Sequence, residues 1–96
     1  MDKLYIVMPA YNEAENIEET VNQWCPVAER VQQEGNVCQL VVADDGSKDN
    51  TFSKMCELQG AKPLFTPLTK PNSGHGATVL FLYNYAIQNG ATYVFQ

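Results

Sequence analysis

Residues 40–47 read LVVADDGS, an apolar run that leads directly into two acids, a glycine and a serine. An uninterrupted apolar run followed by a turn signal is typical of a strand covered on both faces of a parallel sheet. In open parallel sheets, ligands bind beyond the carboxyl ends of the strands. The stretch therefore predicts a buried strand that places Asp44 and Asp45 at the edge of a binding crevice.

The same acids also have a purely structural explanation. Asp-Asp-Gly-Ser suits a tight turn between a strand and a helix, in which the acids accept from backbone amides and Gly46 takes a positive φ. On this stretch alone, the structural and functional interpretations are equally supported. The rest of the chain must show whether other ligand-binding side chains reach the same edge.

The sequence before this run predicts a strand and a crossover helix. Residues 4–8 are mostly apolar, and Pro9 is expected to end that strand because proline lacks an amide donor. From Ile17 onward, apolar residues recur at intervals of three and four, as on one face of a helix that Pro26 is expected to kink or split. A strand, a helix and a strand in this order form a right-handed unit with two adjacent parallel strands.

The sequence after the run predicts the remaining elements. A helix is expected at residues 51–59 and a third strand at 61–68, whose two prolines confine it to a sheet edge. A further helix follows the loop of residues 69–76, and residues 92–96 begin a fourth strand. The predicted fold class is α/β, a three-layer sandwich with a mostly parallel sheet in the strand order 3-2-1-4.

Composition limits the function classes. The 96 residues suffice for one domain, and the net charge of −5 gives no basic surface for binding a nucleic acid and disfavours docking on an anionic membrane. Three separated cysteines and a single histidine, with no CxxC pair, do not match a zinc site and favour a reduced, cytoplasmic chain. The first apolar run is too short for a signal peptide or a spanning helix.

Three loops should meet at the carboxyl edge of the sheet, because parallel strands all end there. They supply an aromatic face, hydrogen-bond acceptors and a helix start with free amides, which match the base, sugar and phosphate of a nucleotide. The side chains and turn concerned are Tyr11 and Glu13 from the first loop, Asp44 and Asp45 from the second, and Lys70, Asn72 and Gly74-His75-Gly76 from the third.

Each of these features is weak when taken alone. Tyr11 is better explained as a loop aromatic packed at the domain edge, and Glu13 as a charge that supports the helix start. His75 reads as a solvated loop residue. The Gly-His-Gly turn lacks both the GxGxxG pattern of dinucleotide folds and the GK[ST] of a P-loop. Only the convergence of the three loops favours a ligand site.

Three motifs in order carry a resemblance to a known family. They are PAYNEAEN at residues 9–16, DDGSKDNT at 44–51 and NSGHGA at 72–77, each directly after a predicted strand. In this arrangement the chain resembles the amino-terminal half of a family 2 glycosyltransferase. The resemblance implies the Rossmann-like half of a GT-A fold, in which a nucleotide-diphosphate sugar of the UDP or GDP type lies across the carboxyl ends of the strands.

The resemblance implies eight nucleotide-binding residues: Pro9, Ala10, Tyr11, Glu13, Ala43, Asp45, Lys70 and Gly76. The first three line or face the base, Glu13 approaches the ribose or base, and the alanine contributes its backbone. Asp45 accepts from a base N–H, which a fixed carboxylate selects strongly, while Asp44 holds the loop. Lys70 and the helix start at Gly74 to Ala77, which includes Gly76, approach the phosphates.

The resemblance also implies parts that these residues lack. Family members carry an acid-x-acid motif directly after the strand that here reaches Gln96, where it holds a divalent cation, Mg²⁺ or Mn²⁺, and they carry a general base further on. We therefore expect residues 1–96 to be one nucleotide-sugar-binding subdomain of a longer inverting transferase, inactive alone. We expect any membrane contact to come from a missing carboxyl-terminal part, and exposed apolar faces to favour self-association.

Three other function classes are compatible with paired acids at the end of a buried strand. A pyrophosphorylase-like nucleotidyltransferase normally has a Gly-rich, basic loop after strand one, and residues 10–16 contain neither glycine nor a base. A receiver-like signalling domain needs acids after strand one and a phosphoacceptor after strand three, where this chain has Leu68-Thr69-Lys70. A stand-alone nucleotide-binding module without catalysis remains open.

Overall fold

The computed structural model describes residues 1–96 as four strands that alternate with three helices. In chain order these are β1 (Lys3–Ala10), α1 (Ile17–Gln33), β2 (Val37–Asp45), α2 (Thr51–Gln59), β3 (Phe65–Lys70), α3 (His75–Gln88) and β4 (Tyr93–Phe95). All strand pairs are parallel, and the order across the sheet is β3-β2-β1-β4. The predicted fold class and strand order are confirmed.

The strand β2 is buried on both faces, as its unbroken apolar run predicts. Leu40 and Val42 face the core cluster formed with α1 and α2, whereas Val41 and Ala43 face the cluster formed with α3. None of the four is more than 1% exposed. Each fully buried Leu or Val contributes about 1.5–3 kcal/mol relative to an exposed one, so this strand anchors both outer layers.

The prediction that Pro9 ends the first strand is wrong, since β1 runs on to Ala10. Lys3 accepts a hydrogen bond from Thr92 on the β4 side. Alternate residues of a parallel strand bond to the same neighbour, so Pro9 turns its nitrogen to that side too. Because β4 pairs with β1 only up to Phe95, the missing donor faces no partner there.

The helix α1 is continuous through Pro26, so the expected split does not occur. Pro26 and Asn22, whose carbonyl loses its intrahelical partner, both lie on the exposed face, where water can replace that bond. At the start of α1, Asn16 occupies the capping position but makes no side-chain capping bond. None of the helices has both the length and the apolar character needed to cross a membrane.

The third strand lies later in the chain than predicted. Residues 61–64 form a turn after α2, and β3 begins at Phe65 and continues to Lys70. It pairs only with β2 and is therefore an edge strand, as its prolines indicate. Leu64 accepts from Leu40 on the β2 side, so by alternation Pro67 turns its missing donor to the open edge.

Candidate functional site

A cavity of about 520 Å³ opens at the carboxyl ends of β1, β2 and β3. All three loops that follow these strands contribute to it, as the parallel sheet predicts. Its lining comprises Pro9, Ala10, Tyr11, Glu13, Asp45, Asn72, Gly74 and His75. The cavity therefore combines an aromatic ring, two carboxylates and the start of α3.

The first loop, residues 11–16, is fastened to the loop between β2 and α2. The amide of Asn12 donates to Ser47 Oγ at 2.8 Å, and Asn12 Oδ1 accepts from the Lys48 amide at 2.9 Å. The Glu13 amide donates to Thr51 Oγ1 at 3.0 Å, and Thr51 is fully buried. These bonds fix the backbone on both sides of the cavity residues Tyr11 and Glu13.

Two further contacts join the same loop to Asp49, just before α2, and to Lys54 within α2. The Ala14 amide donates to Asp49 Oδ2 at 3.3 Å, and Lys54 Nζ donates to the Ala14 carbonyl at 2.9 Å. The pKa of Asp49 lies below its usual value, because the Thr51 hydroxyl and the Thr51 and Ala14 amides donate to its carboxylate and outweigh its burial. The first loop is thus held by several separate hydrogen bonds.

Asp45 is the centre of the third loop, residues 71–74. Its Oδ1 accepts from Lys70 Nζ at 3.0 Å and from the Ser73 amide at 2.8 Å. Its Oδ2 accepts from the Gly74 amide at 2.9 Å and from Asn72 Nδ2 at 3.3 Å. The carboxylate lies at the back of the cavity, with the residue only 4% exposed.

The surroundings of Asp45 hold its carboxyl ionised. Burial alone raises its pKa, but donation from the Ser73 amide, Lys70 and the Gly74 amide outweighs the burial and lowers the pKa to about 2. A carboxylate with this many donors is a strong local acceptor. It is therefore charged at any pH at which the protein is expected to work.

Lys70 lies next to Asp45 but does not line the cavity. Its ammonium donates to Asp45 Oδ1, to the Pro71 carbonyl at 2.9 Å and to Ser73 Oγ, so all three of its protons are used. It also lies 6.0 Å from the centre of the Phe81 ring. In this state, Lys70 neutralises Asp45 and stiffens the third loop.

Asp44 braces the loops from behind the cavity. Its Oδ1 accepts from the Ser47 amide at 3.2 Å, and its Oδ2 accepts from Thr69 Oγ1 at 2.9 Å. The residue is 3% exposed. The carboxylate oxygens of both adjacent acids therefore accept hydrogen bonds from the surrounding loops. The chain contains no group of three or more His, Cys, Asp or Glu side chains that could hold a metal ion. The cation that the resemblance implies does not fit these residues.

A second concave surface lies away from the cavity, between α1 and β4. This apolar groove, of about 380 Å³, is lined by Leu4, Ile6, Met8, Trp24, Val27, Val31, Cys38, Phe95 and Gln96. It contains one polar side chain and no charge. It offers the exposed Trp24 as a reference position for experiments on the cavity.

Comparison with known proteins identifies the family of this chain. The model of the family described as glycosyl transferase family 2 matches residues 5–94. The chain belongs to glycosyl transferase family 2. One curated relative of this family 2 chain is the UDP-N-acetylglucosamine–dolichyl-phosphate N-acetylglucosaminyltransferase of Methanococcus voltae, 42% identical over 59 residues. The match covers 60% of the family 2 chain and 20% of the relative, so the chain spans about a fifth of that relative's length.

The family 2 chain brings five of its eight predicted binding residues into the cavity wall: Pro9, Ala10, Tyr11, Glu13 and Asp45. The other three lie beside it. Ala43 is fully buried in the layer toward α3, Lys70 is bound to Asp45, and Gly76 lies in the exposed first turn of α3.

Three residues that line the cavity are not among the eight that the family resemblance implies: Asn72, Gly74 and His75. Asn72 and the Gly-His-Gly turn had been placed in the third loop, but His75 had been interpreted as solvated. The position of His75 supplied a usable signal, because the first residue of a helix that follows a parallel strand lies at the ligand-binding edge of the sheet.

Proposed function

We propose that this chain binds the nucleotide of a nucleotide-diphosphate sugar, as one part of a glycosyltransferase that passes the sugar to an acceptor. The observation that supports this most directly is the cavity where three loops meet at the carboxyl ends of β1, β2 and β3. Membership of glycosyl transferase family 2 supports sugar transfer as the reaction of the whole protein. The donor, the acceptor and the transfer step are parts of the proposal.

The base is proposed to lie between Tyr11 and Asp45, lined by Pro9 and Ala10. Tyr11 is 41% exposed and offers a ring face, and Asp45 offers a fixed acceptor to a ring N–H. The bond that a base can replace is the 3.3 Å one from Asn72 Nδ2, because that amide also donates to the Asp45 carbonyl at 2.9 Å. After the exchange, Asn72 would keep its shorter bond to the Asp45 carbonyl.

The ribose is proposed to approach Glu13, whose carboxylate makes no hydrogen bond within the protein and lines the cavity. A carboxylate accepts from ribose hydroxyls in the same way as in dinucleotide folds. The buried Ala43 enters this proposal only through its backbone. Glu13 already lines the cavity and needs no movement for this contact.

The diphosphate is proposed to lie at the first turn of α3. The first amides of a helix, including that of Gly76, have no intrahelical acceptor, and the helix dipole favours negative charge there. His75 is the only lining side chain that can carry a positive charge. Lys70 belongs to the proposed site as the partner of Asp45, and a direct bond to phosphate requires that its ammonium first leaves that carboxylate.

Further parts of the reaction are proposed to come from outside these residues. A divalent cation, Mg²⁺ or Mn²⁺, and a general base would be supplied by the rest of the protein, so we propose that the 96 residues alone do not catalyse transfer. The relative from Methanococcus voltae is named for a UDP-linked sugar and a lipid phosphate, so these are the first donor and acceptor to test. Three free cysteines support a cytoplasmic location, and self-association stays a prediction for sedimentation to test.

Isothermal calorimetry with UDP, GDP and their monophosphates tests the binding proposal. We expect saturable binding of one diphosphate, weakened at least about fivefold by Tyr11→Ala or Asp45→Asn, since each removes a contact worth about 1–3 kcal/mol. Trp24→Ala in the apolar groove is the matched control and should bind as the unmodified chain does. Unchanged affinity in Tyr11→Ala would exclude the proposed base position.

A separate assay tests the proposal that catalysis needs more than these residues. The chain is incubated with Mg²⁺ or Mn²⁺, a panel of nucleotide sugars, and lipid-phosphate or glycan acceptors. We expect no sugar transfer above a reaction without protein. Turnover that Asp45→Asn abolishes would show that the chain is a complete catalyst.

A further inference from the structure

Asn12 has the one left-handed backbone conformation among the non-glycine residues of the chain. Its φ is 52°, whereas every other positive φ belongs to a glycine. Residues with a Cβ rarely adopt this region, and asparagine is the side chain that tolerates it best. Asn12 also stands between Tyr11 and Glu13, two residues of the cavity wall.

The neighbours of Asn12 hold it in this conformation from both sides. Its amide donates to Ser47 Oγ, and its Oδ1 accepts from the Lys48 amide, at 2.8 and 2.9 Å. The pair of bonds is reciprocal, because Asn12 donates one hydrogen bond to the neighbouring loop and accepts one from it. A single residue thereby couples the loop after β1 to the loop after β2.

The side chains of the cavity residues on either side of Asn12 make no such hydrogen bonds of their own. The hydroxyl of Tyr11 and the carboxylate of Glu13 make no hydrogen bond within the protein, and both side chains are exposed. Their direction is therefore set by the backbone, and the left-handed turn at Asn12 separates the directions in which the two side chains leave the chain. Without that turn, they would not both face the cavity as they do.

We propose that Asn12 is a positioning residue for the nucleotide cavity, which holds Tyr11 and Glu13 in their binding directions without contacting the ligand. The inference rests on the proposed nucleotide-binding function. It predicts that changes at Asn12 reduce the fraction of molecules in the binding-competent loop conformation. The apparent dissociation constant rises in inverse proportion to that fraction.

The test compares three variants in calorimetric titrations with UDP. Asn12→Ala loses the side-chain bond and disfavours the left-handed turn, so we expect about tenfold weaker binding. Asn12→Gly loses the bond but accepts a positive φ, and should recover most of that loss, to within about threefold of the unmodified chain. Ser47→Ala removes only the acceptor of the Asn12 amide and should also weaken binding about threefold.

Val31→Ala is the control for general destabilisation. Val31 packs against the core near the far end of α1, so this variant should lower thermal stability without changing UDP affinity. Binding by Asn12→Ala that equals that of the unmodified chain would overturn the inference while leaving the proposed function intact. Equal weakening in Val31→Ala and Asn12→Ala would overturn it too, because the effect would then be one of stability. Absence of UDP and GDP binding by the unmodified chain would overturn the proposed function itself.

Discussion

The first and third loops line opposite sides of the same cavity but are held in different ways. The first loop is fastened by several separate contacts, to Ser47, Lys48, Asp49, Thr51 and Lys54. The third loop converges on one carboxylate, that of Asp45, which accepts from four donors. One wall of the cavity thus rests on a distributed network and the other on a single charged group.

The two loops should therefore differ in how they respond to substitution. Loss of one contact in the first loop leaves the others in place, so its effects should be local and moderate. Any change that displaces the third loop from Asp45 removes its main support at once. We therefore expect the two walls to respond differently to substitution and to pH, and the following experiments separate them in order of decreasing effect.

The largest effect is expected from Gly46→Ala, which pushes the third loop away from β2. A Cβ at Gly46 would lie 2.5 Å from the Asn72 backbone nitrogen, and the residue has a φ of +64°. Left-handed strain and the backbone clash together should lower the free energy of unfolding by about 3 kcal/mol. Urea denaturation followed by circular dichroism measures this loss.

Gly35→Ala is the matched control for Gly46→Ala. Gly35 also has a positive φ, +95°, but a Cβ there meets nothing within 4 Å. This variant should therefore cost only the conformational strain, about 1–2 kcal/mol. Equal losses in the two variants would contradict the close approach of the second and third loops.

A smaller effect is expected from Thr51→Val, which acts on the first loop. The substitution removes the acceptor of the Glu13 amide from a fully buried position, at a cost of about 1–2 kcal/mol. Hydrogen exchange should accelerate at the Glu13 amide and stay unchanged at Ser73 and Gly74. Thr66→Val, whose hydroxyl bonds Gln39 on the half-exposed sheet edge, should cost about 0.5 kcal/mol. Faster exchange in both loops of Thr51→Val would mean that the two walls are not independent.

The smallest effect is expected from acid, because a pKa of about 2 keeps the Asp45 carboxyl charged over most of the acid range. The pKa of Asp45 falls from 3.8 to about 2 on folding. A depressed carboxyl pKa contributes stability above the unfolded value and loses it as the pH falls toward the folded value. Thermal stability should therefore decline between pH 3.8 and about 2, and Asp45→Asn should show a shallower decline. Asp49 contributes with the same sign, so some decline remains in the variant. Identical pH profiles would contradict the ion-paired state of Asp45.

Most of the fold could be predicted because strong, local patterns determine it. The predicted helix at residues 51–59 matches α2 at both ends, and the strand order follows from crossover handedness and from Pro67 in β3. The predicted end of β1 at Pro9 is wrong, the split of α1 at Pro26 does not occur, and β3 begins four residues later than predicted. Pro9 and Pro26 both break a local rule, and in both cases the missing donor faces an unpaired or exposed side that only the assembled structure defines.

Less of the site could be predicted, because its bonds join loops that are distant in the sequence. The convergence of three loops follows from the parallel sheet, and it predicts that Tyr11 and Asp45 lie in one cavity, as they do. The pairing of Lys70 with Asp45, and the support of Asn12 by Ser47, depend on side-chain directions across loops. No spacing rule encodes such contacts, so the sequence alone assigned Lys70 to the phosphates.

Mapping UDP binding by the amide shifts of the isotopically labelled chain tests the central claim most directly. We expect saturating UDP to shift the amides of Tyr11, Glu13, Asp45 and His75, on both walls of the cavity. The amides of Trp24 and Val27, in the apolar groove, should not shift. Shifts confined to the apolar groove, or to the outer face of α1, would contradict the assignment of the nucleotide to the carboxyl ends of the strands.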